Sequence, residues 1–60
     1  MSEREIKTLL QDIEEAARKI LSYTNDMVFE DFMNDDKIID AVIRNFAVIG
    51  EAANRIPPDF

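Results

Sequence analysis

Apolar residues recur at three- and four-residue spacing over the first third of the chain. Ile6, Leu9, Leu10, Ile13, Ala16, Ala17, Ile20 and Leu21 form one stripe. Glu3, Lys7, Gln11, Glu14, Glu15 and Arg18 fill the other side. That period predicts an amphipathic helix over about residues 3–23 with one buried face. Ser2 and Glu5 fit a capping box, in which a hydroxyl and a carboxylate three residues apart satisfy free amides of the first turn.

The period is lost over residues 24–36, TNDMVFEDFMNDD. Thr24, Asn25 and Asp26 favour a turn or cap. Phe29 and Phe32 suit a single short turn of helix that plugs the open end of a helix pair, together with Met33. Asn34, Asp35 and Asp36 then offer caps for a second long helix, with acid at the positive end of its dipole. That helix is predicted from about Asp36 to Arg55. Pro57 and Pro58 end it, because the residue before a proline is pushed out of helical geometry.

The second helix is apolar over more than half its circumference. Stepping about 100° per residue places Ile39, Val42, Ile43, Phe46, Ile49, Gly50 and Ala53 on one side. Ile38, Ala41, Val48 and Ala52 widen the surface, and Asp40, Arg44, Glu51, Asn54 and Arg55 form the polar strip. One partner helix covers one stripe, so a helix of this kind needs cover on two sides. Ile39, Val42, Phe46, Ile49 and Ala53 are therefore the expected association core. Gly50 lies in the same surface, where it costs about 1 kcal/mol relative to Ala. Close approach by a neighbouring helix is the expected compensation.

Length sharpens the need for a partner. Sixty residues make at most one domain, and a chain this short buries only about 60% of its unfolded surface. Such chains usually rely on disulfides, a metal or association. There are no cysteines and no histidines, which removes disulfides, thiolate zinc sites and imidazole sites. With 47% hydrophobic residues, self-association is the remaining route.

The net charge of −6 argues against a protein built mainly to grip phosphates, since nucleic-acid affinity is largely cationic. Acid is concentrated at Asp26, Glu30, Asp31, Asp35 and Asp36, against Lys37 alone. The start, MSEREIK, carries charge where a signal peptide would be apolar. No apolar run approaches the roughly 20 residues of a membrane span. A cytoplasmic protein with no membrane partner is the expectation.

Candidate chemistry is sparse. Arg44, Glu51 and Arg55 could line a cleft, or form a solvated face with Asp40–Arg44 and Glu51–Arg55 ion pairs at i, i+4 spacing. Asn45 falls within the apolar arc, and a buried amide needs hydrogen-bond partners. It could fix helix register or chain pairing, or face a functional cleft. The acids from Glu30 to Asp36 lack the alternation and glycine of an EF-hand loop, which favours capping over cation binding. Ser2 and Ser22 have no histidine to activate them. One glycine cannot build a phosphate loop. No cofactor is expected.

The whole chain nevertheless resembles the N-terminal half of the HepT-like proteins, a branch of the HEPN superfamily. The resemblance lies in KILSYTND at the end of the first helix and in FEDFMNDDKIIDAVIRNFAVIGEAANRIPPDF after it. The most specific part is Asp40-Ala41-Val42-Ile43-Arg44-Asn45-Phe46, followed by Ile49-Gly50-Glu51-Ala52 and Ile56-Pro57. It implies a truncated HepT-like domain over residues 1–60: an all-α helical hairpin with a short intervening turn, assembling into an oligomeric helical bundle. Full-length members resemble metal-independent ribonuclease toxins that form homodimers. They pair with a minimal nucleotidyltransferase antitoxin, MntA, which modifies a tyrosine near the active site.

Catalysis in that family uses an Arg, a spacer of about four to six residues and a His on a later helix, fitted to acid–base work at the ribose 2′-hydroxyl. Here Arg44-Asn45 is followed by Phe46 to Gly50 without a His. Tyr23 does not match the modified tyrosine. What carries over is Arg44, Asn45, Gly50 and Glu51, as residues bordering the cleft or the dimer contact, and none is expected to be catalytic. RNA is an expected partner only where the catalytic half is present. A chain of this extent fits a fragment, a natural truncation or a short protein with its own associating role. The expectation is a HepT-like polypeptide without its own ribonuclease motif, acting through association. The alternative is part of a ribonuclease toxin whose other half is supplied elsewhere.

Overall fold

A computed structural model describes residues 1–59; Phe60, the last residue of the matched pattern, lies outside the described residues. Helix α1 runs Glu3–Thr24, α2 Phe29–Met33 and α3 Asp36–Arg55. The all-α hairpin with a short intervening turn is as the periodicity predicts, with α1 one residue longer.

Local chemistry sets the ends. The Glu5 amide donates to the Ser2 hydroxyl oxygen at 3.2 Å, and that hydroxyl donates to the Glu5 carboxylate at 3.1 Å. Asp35 caps α3 by accepting from the Ile38 amide at 3.0 Å. At the far end Ile56 is extended (φ −79°, ψ 130°), as a residue before proline must be. Thr24 at the end of α1 bonds back to the Ile20 carbonyl at 2.8 Å, and the chain then turns toward α2.

Helices α1 and α3 pack antiparallel: Arg4 shares a groove with Arg55, while Ala16 shares another with Asn45. Ile6, Leu9 and Ala16 of α1 meet Val42, Asn45 and Ala52 of α3 at the seam. Small residues at Ala16 and Ala52 allow close approach. No large side chain is fully buried among the described residues. Phe32 is half-buried beneath the hairpin's end, but Phe29 is 75% exposed and Met33 is exposed too. The expected three-residue plug thus reduces to Phe32, because five residues of helix turn only one side inward.

The molecule is a rod of 42 × 16 × 16 Å. Its radius of gyration is 13.9 Å, whereas a compact chain of this length would have about 10 Å. It exposes 5002 Å², whereas a compact globule of the same mass would expose about 4000 Å². One layer of packing, helix on helix, leaves the surplus. Among the described residues no helix is long and apolar enough to cross a membrane.

Candidate functional site

The two broad sides of the hairpin differ in chemistry. On one side, a groove between α1 and α3 is lined by Asp12, Glu15, Ala16, Lys19, Asn45 and Val48. Farther along that side, Met1, Arg4, Glu5, Thr8, Leu9, Asp12 and Arg55 line a second groove. By helical phase, the opposite side carries Leu10 and Leu21 from α1, and Ile43, Phe46, Gly50 and Ala53 from α3. Leu21 is 69% exposed, Ile43 60% and Phe46 58%.

The expected association core divides between these surroundings. Val42 is buried against α1. Ile39 and Ile49 are half-buried, and Phe46 and Ala53 are exposed. Helix α1 therefore covers one flank of the predicted apolar arc and leaves its centre open. The reason is Asn45, which faces α1 and is 9% exposed. Its Nδ2 donates to the Ala41 carbonyl at 2.8 Å, so the amide is satisfied by its own helix. The small Ala16 opposite leaves room for it.

The four cleft or dimer-contact candidates do not converge. Asn45 sits at the hairpin seam, Gly50 on the open apolar stripe, and Arg44 and Glu51 on the exposed polar strip. The ion pairs expected on that strip are not formed. Those among the described residues are Glu14–Arg18 and Glu15–Lys19 on α1, both exposed, where such pairs contribute little. Among the described residues no buried side-chain nitrogen or oxygen lacks a hydrogen-bond partner. No three potential metal ligands of the His, Cys, Asp or Glu type come together among them.

Two features were not singled out in the sequence. One is the groove beside Asn45, which Asp12, Glu15, Ala16 and Lys19 line from α1. The other is the groove that Arg4 and Arg55 line together with Glu5 and Asp12. Aligning the helical phases of α1 and α3 about Ala16 and Asn45 would have located both. Neither groove brings together a nucleophile and a base. The most extensive feature is the open apolar stripe.

Comparison with known proteins gives this arrangement a lineage. The sequence model described as Ribonuclease HepT-like matches residues 13–60. "Putative RNase MJ0127" of Methanocaldococcus jannaschii is 43% identical over the whole chain, which spans 50% of that protein. "Putative RNase MJ1380" of the same organism is 42% identical over the whole chain and 55% of its own length. "Probable ribonuclease HepT" of Thermococcus cleftensis is 47% identical over 95% of the chain and 52% of its own length. The chain thus spans about half the length of the curated relatives it matches. No solved structure matches it.

Proposed function

The chain belongs to the HepT-like family, and on that premise we propose that it is a toxin–antitoxin polypeptide that works by association and does not cut RNA by itself. The observation that carries this is the open apolar stripe of α3, with Phe46 58% exposed at mid-helix. An aromatic ring in that position is stabilised by cover, and the hairpin has none to give. The 60 residues also contain no histidine, so imidazole acid–base chemistry at a ribose hydroxyl must come from outside them. Partners of this reading are a second copy of the chain and an MntA-like nucleotidyltransferase.

The test is incubation of the purified 60-residue chain with a labelled single-stranded RNA. No cleavage is expected. Robust cleavage that disappears in Arg44→Ala would overturn the proposal.

A second reading is supported by the relatives, which carry ribonuclease names and are about twice as long. In it the hairpin is one half of a ribonuclease, and an Arg–His segment completes the site. The genomic reading frame after codon 60 distinguishes the two. A continuous frame encoding that segment favours the ribonuclease, and its absence favours the associating polypeptide.

A further inference from the structure

We draw no further inference here: the strongest candidate, the exposed apolar patch of Val28, Phe29 and Met33 at the turn end of the hairpin, carries nothing because nothing in the structure shows what covers it, and a separate partner and the half of the relatives' length that this chain does not span fit it equally.

Discussion

The two apolar faces of α3 differ in cover, and only the covered one takes part in the hairpin fold. The inner face, with Val42, Asn45 and Ala52, lies against Ile6, Leu9 and Ala16. It contains a polar amide and small side chains, and it is closed. The outer face carries Ile43, Phe46, Gly50 and Ala53, a larger and wholly apolar set, and it is open. In a self-sufficient small domain the bulkier face would be expected inside. Here the smaller face shapes the hairpin, and the larger one is left open.

Substitution on the inner face should have the largest effect. Leu9→Ala removes a buried side chain from a core of few residues, at a cost of about 2–5 kcal/mol. Far-ultraviolet circular dichroism should show loss of helicity at every protein concentration. Retained helicity would mean that the inner face contributes little and the two faces do not divide as described.

Next comes the centre of the outer face. Phe46→Asp puts a charge on the open stripe, and association and helicity should fall together, because the hairpin core is thin. Sizing chromatography with light scattering, alongside circular dichroism, measures both. A well-folded monomeric variant would show that the inner face suffices alone, contrary to the second-cover requirement.

Asn45→Ala should have the smallest effect. The amide bonds only to the Ala41 carbonyl of its own helix, and alanine is the better helix former. A change of less than about 1 kcal/mol in unfolding free energy is expected, with pairing unchanged. Lost pairing would place Asn45 in the interface and blur the boundary between the faces.

Much of this division was legible in the sequence. The capping serine, the acid before α3 and the prolines after it set helix ends through local chemistry, and local chemistry is readable. The excess width of α3's apolar surface was readable as well, because periodicity counts residues around a helix. Which part of that surface α1 would cover was not readable. It depends on the phase between two helices, set here by Ala16 and Ala52 and by an amide that satisfies itself. The expected pairs Asp40–Arg44 and Glu51–Arg55 failed for a related reason, since spacing permits a surface ion pair without requiring one.

The functional lineage was legible in the run from Asp40 to Pro57, and the family match over residues 13–60 bears it out. The chemistry was not, since no residue of that run is a histidine.

The central claim is that the open face of α3 is covered by association. Sedimentation equilibrium of the 60-residue chain, with helicity followed over the same concentrations, tests it most directly. The account predicts a mass that rises to twice the chain mass and helicity that rises with it. A fully helical species at the single-chain mass throughout would contradict it.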